Sequence, residues 1–550
     1  YDQTCAAEKR RRRKRGTYPD PARRAFINEM VCEGCGDCGV KSNCLALVPV
    51  ETEYGRKRAV DQSACNKDFS CLSGFCPSFV TVEGGRLRRG TGVVKDESGF
   101  AGLPLPGLPD TAAPFGILVT GVGGTGVVTI GALIGMAAHI DGKGVTVLDM
   151  TGLAQKGGSV FSHVRICDRP EDIHAVRVAA GEADSLIGGD IVVSASEEAL
   201  AKMRPGVTRG VVNLAATPTA DFTRDPDWQF PIERMKAAIG DAAGQGAVEF
   251  TDATALARRL MGDAIATNLI LLGYAWQKGL VTVTLTSQEK AIELNGVQIE
   301  MNRRALLWGR RAAHDPAAVE RFCAPAPAAA TRTRGIEELI TRRSGYLTAY
   351  QDRAYARRYE TLVRKIEAVA AKFGSPALAE SVAHGYFKVL AYKDEYEVAR
   401  LYADPAFVEA VRQTFEGDYR LSFQLAPPLW AARDPVTGEP RKRAYGHWML
   451  GAFRMLARLR FLRGSGWDPF GGTAERREER RLIRDYEADI ERIAAELTVE
   501  RLATAIEIAR LPQEVRGFGH VKARNLALAR KRREELWSAW ERAPRAARAA

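Results

Sequence analysis

Seven cysteines lie between positions 32 and 76 of this chain, and their spacing is its first chemical signal. Cys32-Glu33-Gly34-Cys35-Gly36-Asp37-Cys38 is a C-x2-C-x2-C run. Three thiolates at that spacing wrap one face of a cubane iron–sulfur cluster. The small residues Gly34, Gly36 and Gly39 let backbone amides approach the sulfurs and tune the potential. A zinc ribbon would instead be expected to show two C-x2-C pairs, which a triplet fits poorly. The remaining cysteines, Cys5, Cys167 and Cys323, are scattered. A disulfide framework belongs to small secreted domains, whereas clustered cysteines in a reducing compartment are more often metal ligands.

Cys76 is followed by Pro77, and this ending resembles that of bacterial ferredoxins. The resemblance implies that the late Cys-Pro cysteine ligates the cluster held by the early triplet. On that basis Cys32, Cys35, Cys38 and Cys76 complete one [4Fe–4S] cluster. Cys44, Cys65 and Cys71 stand where the ligands of a second cluster would be. Their half, Cys65-x5-Cys71-x4-Cys76, departs from the regular spacing and lacks one cysteine. Three readings stay open: a three-iron centre, a four-iron centre with a non-cysteine ligand, or no second cluster.

A second signal begins at Phe115. Phe115–Thr120 reads as a buried strand, Gly121-Val-Gly123-Gly124-Thr-Gly126 follows, and an apolar helix starts at Val127. This is G-x-G-x-x-G in its strand–turn–helix setting, with amides at a helix N-terminus that suit phosphate or another anion. Such glycines also serve simply to pack a helix on a sheet. Val145–Asp149 reads as the next strand, and its Asp149 would meet a ribose or cap the strand end. Directly after it comes Thr151-Gly-Leu-Ala-Gln155-Lys156-Gly157-Gly158-Ser159, leading into a strand that carries His163. This second glycine loop is foreign to the nicotinamide pattern. His163, in an alternating strand, is expected to be a satisfied inward or interface residue rather than a proton shuttle.

The elements that position these groups divide the chain. At 550 residues it has room for about three or four domains. Hydrophobic residues make up 46% and charged residues 27%, as in ordinary globular proteins. No run of about 18 apolar residues exists, so no spanning helix and no membrane partner are expected. The net charge is +12, and residues 1–25 hold nine basic against three acidic residues, half of that excess. No aromatic interleaving and no nucleic-acid module accompany this run, so it is read as an interface arm and no nucleic-acid partner is expected. The chain opens on Tyr1 with neither Met nor a secretory signal, and it is expected to be a processed or partial piece of a longer cytoplasmic polypeptide.

The predicted organisation is a multidomain α/β chain. It comprises a basic arm (1–25), a small ferredoxin-like domain (26–90), a Gly/Pro linker (91–114) and a Rossmann-like parallel-sheet domain (115–314). A second linker (315–334) and a mostly helical accessory domain (335–550) follow. Leu482, Tyr486, Ile490, Ile493 and Leu497 form one apolar helix face. Arg476, Arg477, Arg480 and Arg481, among Glu475, Glu478 and Glu479, read as a solvated, salt-bridged surface. Leu421–Leu425 with the following Pro-rich stretch reads as a strand pair or extended arm. His384 and His447 are isolated and carry no catalytic constellation.

The loop Gln155–Gly158 resembles the signature of the gamma domain of 2-oxoacid:ferredoxin oxidoreductases. Taken with the lead-in Tyr1–Arg10, the segment Val31–Cys38, the loop Gly121–Gly126 and the stretch Ala291–Glu300, it makes nearly the whole chain resemble the C-terminal part of the long, fused indolepyruvate:ferredoxin oxidoreductases. The resemblance implies oxidative decarboxylation of arylpyruvates to acyl-coenzyme A, with electrons leaving through iron–sulfur clusters to ferredoxin. It implies thiamine diphosphate with magnesium, held by domains upstream or on another chain, because this chain has no Gly-Asp-Gly…Asn loop. It implies coenzyme A as co-substrate, a candidate ligand for Gly121, Gly123, Gly124 and Gly126. It implies that Gln155, Lys156, Gly157 and Gly158 face the active-site interface with the thiamine domains, and that the protein is a homo-oligomer. The rival readings are an iron–sulfur-linked flavin or nicotinamide oxidoreductase, resting on Gly121–Gly126 and Asp149, and a non-catalytic electron-transfer scaffold.

Overall fold

The structure, a computed structural model, describes residues 8–543 except 10, 11, 14, 15, 45, 89–98, 152–157, 216–224, 324–334, 430 and 437. It is an α/β assembly with a mostly helical C-terminal region.

The cysteine segment hangs on short strands. Strand β1 (Arg23–Ile27) leads into the Cys32–Cys38 loop. Strands β2 (Leu47–Thr52) and β3 (Gly55–Val60) form an antiparallel hairpin that pairs Leu47 with Val60. Strand β4 (Phe79–Glu83) follows Cys76 and pairs antiparallel with β1, Ile27 opposite Phe79. Strand β5 (Arg86–Leu87) is a short extension.

The middle region builds a six-stranded sheet from β6 (Phe115–Val122), β7 (Gly144–Thr151), β8 (Ser159–Cys167), β9 (Ser185–Gly188), β10 (Arg209–Asn213) and β11 (Val248–Thr251). Its order is β11-β10-β9-β6-β8-β7. β6 is covered on both faces and is accordingly apolar apart from Thr120, whose hydroxyl pairs with Ser194. β11, β10, β9 and β6 are mutually parallel, as expected. Within this parallel-containing sheet one strand departs from the order: β8 runs antiparallel to both β6 and β7. The reason is chain length. A parallel return needs a crossover of a dozen or more residues, and the short stretch between Thr151 and Ser159 permits only a hairpin. Helices Val127–Ile140, Thr267–Gln277 and Ile299–His314 cover one face and share one core with β6 and β8.

The C-terminal region is helical from Ile336 to Leu390, and again from Ala474 to Glu496 and Gly519 to Arg542. It also supplies β12 (Phe415–Glu416), β13 (Arg420–Leu425) and β14 (Arg443–Tyr445). β13 and β14 form the strand pair read from the sequence. β13 also pairs with β4, so the sheet of the cysteine segment runs β1-β4-β13-β14. Val31, Val80 and Val82 then share a core with Tyr402, Phe407, Phe423 and Phe453.

On helix Ala474–Glu496 the predicted apolar face is buried at Tyr486, Ile490 and Ile493. The solvated charge cluster is corrected in part: Arg476 is 6% and Glu479 4% exposed. Three-residue spacing puts both on the inner face, where Arg476 Nη2 bonds Glu395 at 3.2 Å and Lys522 pairs with Glu479. Arg477 and Arg481 remain on the surface. Among the described residues, no helix is long and apolar enough to cross a membrane.

Candidate functional site

Cys32, Cys35, Cys38 and Cys76 line one cavity, with Ile27, Glu33, Gly36, Asp37, Arg58, Gly74, Phe75, Ser78 and Phe79. β1 delivers the first cysteine, and Cys38 sits in the first turn of helix Asp37–Ser42. Cys76 arrives immediately before β4, beside that turn: Phe75 N donates to Asp37 Oδ2 at 2.8 Å. Gly34 N donates to Cys32 Sγ at 3.4 Å, and Ser78 Oγ lies 3.0 Å from Cys76 Sγ.

The thiols are held in an environment that opposes bare thiolates. Burial, followed by the neighbouring Cys76, pushes Cys35 up to about 12. Burial and the same neighbours raise Cys38 well above the usual thiol range. Burial raises Cys76, with Lys442 opposing it. A metal centre deprotonates its thiol ligands outright and would supply the missing countercharge. Among the described residues, no three His, Cys, Asp or Glu side chains form a site for a single ion. Around a cubane each thiolate meets its own iron, so four cysteines spread over one cavity wall could hold such a core.

Cys44, Cys65 and Cys71 do not line that cavity. Burial raises Cys65 and, with Cys44 and Cys65 adding to it, pushes Cys71 up to about 12. All but Cys35 of the seven cysteines pack in or against one buried cluster.

Sequence reasoning missed the charged collar of the first loop. Glu33 is buried, and burial alone would raise its pKa. Lys388, Lys393, Lys57 and Lys522 outweigh that and hold its carboxyl well below the usual range. Lys388 pairs with Glu33, and Lys393 Nζ lies 2.9 Å from Glu33 Oε1. Lys57 is pushed down to about 7, first by burial and then by Lys393. Lys442 donates to the carbonyl of Gly74. A charge inside the cysteine motif was the available signal, since three of its four lysine partners, Lys388, Lys393 and Lys522, lie far along the chain.

The glycine loop lies elsewhere. β6 continues through Gly121, which is buried, and the turn proper is Gly123–Gly126. Gly123 and Gly124 are exposed. Gly126 has φ 89°, and a β-carbon there would stand 2.6 Å from Asn268 Nδ2, so the position requires glycine. Gly123 N donates to Gly158 O at 2.8 Å, which joins the two predicted loops. Asp190 accepts from Val122 N at 2.5 Å and from Val193 N at 2.9 Å. Gln155, Lys156 and Gly157 lie outside the described residues. Asp149 does not end its strand: β7 runs on to Thr151. β8 separates β7 from β6, so Asp149 stands two strands, about 10 Å, from the strand that carries the glycine turn. That geometry disfavours the ribose role. His163 is buried, and its Nδ1 accepts from Val178 N at 3.3 Å. Burial, with Arg177, pushes its pKa down to about 4, so it is a neutral interior residue.

Comparison with known proteins gives a consistent pattern. Residues 116–312 match the family model described as pyruvate ferredoxin/flavodoxin oxidoreductase, and residues 336–535 match a family of unknown function. The chain is 28% identical over 205 residues to indolepyruvate oxidoreductase subunit IorB of Thermococcus kodakarensis, covering 36% of this chain and 96% of that protein. It is 28% identical over 161 residues to the protein of the same name from Methanothermobacter thermautotrophicus, covering 29% of this chain and 77% of that protein. Among solved structures it resembles the keto/oxoacid ferredoxin oxidoreductase gamma subunit of Geobacter sulfurreducens (22% identity, TM-score 0.26, 36% of this chain and 98% of that one). It also resembles the 2-oxoglutarate:ferredoxin oxidoreductase of Magnetococcus marinus, solved with 2-oxoglutarate, coenzyme A and succinyl-CoA (18% identity, TM-score 0.28, 37% of this chain and 31% of that one).

Proposed function

We propose an activity for a chain whose residues 116–312 match the pyruvate ferredoxin/flavodoxin oxidoreductase family model: it serves an enzyme that oxidatively decarboxylates an arylpyruvate to acyl-coenzyme A. The observation that carries this reading is the set of four cysteines lining one cavity, in a chain whose residues 116–312 match the pyruvate ferredoxin/flavodoxin oxidoreductase model. Cys32, Cys35, Cys38 and Cys76 would hold a [4Fe–4S] cluster, which would supply one-electron transfer toward ferredoxin. The decarboxylation chemistry is supplied by thiamine diphosphate and magnesium on domains outside this chain.

The chain's own residues are assigned supporting roles. Glu33 and its lysines orient the cysteine loop. The joined loops at Gly123 and Gly158 form the face turned toward the thiamine domains. Gln155 and Lys156, outside the described residues, are assigned by their chemistry as donors to an anionic group of coenzyme A or the oxoacid. The protein is assigned to the cytoplasm, as a homo-oligomer with ferredoxin as its redox partner. The flavin or nicotinamide reading keeps the glycine turn but loses the support of Asp149, which stands two strands away.

The test is anaerobic assay of the full enzyme with indolepyruvate, coenzyme A and ferredoxin. The reading requires ferredoxin reduction that depends on both indolepyruvate and coenzyme A. Reduction of a nicotinamide instead, or a bound flavin spectrum, would replace it.

A further inference from the structure

Residues 441–463 contain seven Lys or Arg and no Asp or Glu. Two of these cations are neutralised inside the fold, Arg441 by Asp434 and Arg463 by Asp394. Arg443, Arg454 and Arg458 are exposed, the last two on helix Met449–Arg458. The inner face of that helix, Leu450, Phe453 and Ala457, is buried. Its outer face is apolar as well as basic. Trp448, just before the helix, is 65% exposed, and Met455 is 64% exposed. Seven residues apart, they share one side of the helix. Gly451 lies between them, exposed, and a β-carbon there would meet nothing within 4 Å. Packing therefore does not demand this glycine, although glycine weakens a helix relative to alanine. Phe461, in the helical turn Leu459–Leu462, is exposed beyond it. Trp, Met, Phe and Arg are the residues that interfaces favour, and apolar side chains grouped in solvent mark contact sites.

Behind this face lies the cysteine cavity. Phe453 belongs to the core that contains Val31 and Val80, and Cys76 packs against the same core. Tyr402 stacks on Phe453 with ring centroids 4.9 Å apart, and its Oη donates to the carbonyl of Pro77 at 2.6 Å. One tyrosine thus links the helix to the residue after Cys76. On the flank, β14 is joined through β13 to β4, which follows Cys76. Lys442, beside β14, donates to the carbonyl of Gly74, a residue that lines the cavity, while the adjacent Arg443 is exposed.

We propose that the outer face of helix Met449–Arg458, flanked by Arg443 and Phe461, docks an acidic protein that carries a one-electron centre. This rests on the iron–sulfur reading of Cys32, Cys35, Cys38 and Cys76. Charge selects the occupant. Unopposed cations steer an acidic surface inward and repel a basic one. A second copy of this chain, at a net charge of +12, is repelled on that ground. Trp448 and Met455 meet the desolvated centre of the partner, and the notch at Gly451 lets its backbone approach. Redox encounters form small interfaces, below about 1,200 Å2, so one helix face with its flanks is large enough. The transfer moves one electron from the cysteine site to the partner's oxidised centre, and no bond is made or broken.

The test uses the full enzyme, purified without oxygen, and a small acidic ferredoxin immobilised on a sensor surface. Wild type should bind it, and binding should weaken about tenfold or more between low and high salt. Arg454→Glu combined with Arg458→Glu should weaken low-salt binding about tenfold or more and flatten the salt dependence. Gly451→Gln should weaken binding while raising the thermal unfolding midpoint, a pairing that a purely structural glycine would not give. Arg234→Glu, which reverses an exposed cation on helix Ile232–Ala243 of the middle region, should leave binding within about twofold of wild type. In turnover with arylpyruvate, the face variants should raise the KM for ferredoxin and leave reduction of methyl viologen, which needs no docking, unchanged. Equal binding in wild type and the face variants overturns the proposal. An equal loss in Arg234→Glu also overturns it, because net charge alone then explains the attraction. Wild type that binds no ferredoxin overturns it too, and a shift from dimer to monomer in Gly451→Gln then assigns the face to a second copy. Binding that falls as expected, without arylpyruvate-dependent reduction of either acceptor, supports the docking face and overturns the parent reading alone.

Discussion

Lys393 Nζ lies 2.9 Å from Glu33 Oε1, so a lysine of the helical C-terminal region is paired with the residue between the first two cysteine-loop positions. The same ammonium donates to the carbonyls of Val31 and Cys32 at 3.1 Å each. The helical region thereby fixes the backbone that carries the first cysteine. Lys388 strengthens the hold from the neighbouring helix.

Lys393→Met should cost about 2–3 kcal/mol of stability, because it leaves Glu33 with one fewer buried partner and two carbonyls without their donor. Urea unfolding of wild type and variant measures this. Glu33→Gln in the Lys393→Met background should recover part of the loss, since the uncompensated charge is then gone.

Lys442 is a cation beside Cys76 and Cys38. A positive charge favours the reduced, more negative cluster. Lys442→Met should therefore shift the first cluster's potential downward by roughly 20–60 mV, the equivalent of a fraction of 1.4 kcal/mol for one electron. Redox titration followed by paramagnetic resonance reads the shift, and an upward shift would refute the assignment of Lys442.

The two glycine loops predict separable effects. Gly126→Ala meets Asn268 in a left-handed conformation and should destabilise the middle region by about 1–3 kcal/mol. Gly158→Val should lower arylpyruvate turnover while leaving the iron–sulfur spectrum unchanged. Lys156→Ala should weaken the anionic partner by roughly 1–3 kcal/mol, read as a raised KM when coenzyme A and oxoacid are varied separately. Unchanged kinetics in both loop variants would make the loop a packing turn.

His163 gives a pH signature. Its folded pKa of about 4 lies below the usual 6.5. As pH falls through 6.5 the unfolded chain takes up a proton that the folded protein refuses until about 4, so stability drops across that window. At pH 5 the contribution is about 1–2 kcal/mol. His163→Asn, which keeps an acceptor for Val178 N but cannot titrate there, should flatten that share of the pH dependence of unfolding. Equal slopes in wild type and variant would contradict it.

Much of this site could be read from local spacing. The C-x2-C-x2-C run, Cys76-Pro77 and the strand–glycine–helix order each lie within a short window, and local chemistry determines them. The reversal of β8 needed only a count of residues between Thr151 and Ser159. Lys388 and Lys393 were invisible, because their pairing with Glu33 depends on how distant helices pack. The extension of β4 by β13 was hidden for the same reason. Arg476 and Glu479 read as surface because composition alone cannot tell which face of a charged helix turns inward.

The central claim is that Cys32, Cys35, Cys38 and Cys76 together hold one electron-carrying [4Fe–4S] cluster. Paramagnetic resonance of dithionite-reduced Cys76→Ser protein, beside wild type, tests it most directly. The account predicts that wild type shows a [4Fe–4S]+ signal from this site and that the variant loses it along with ferredoxin reduction. Full retention of the signal in Cys76→Ser, or its absence from wild type, would contradict the account.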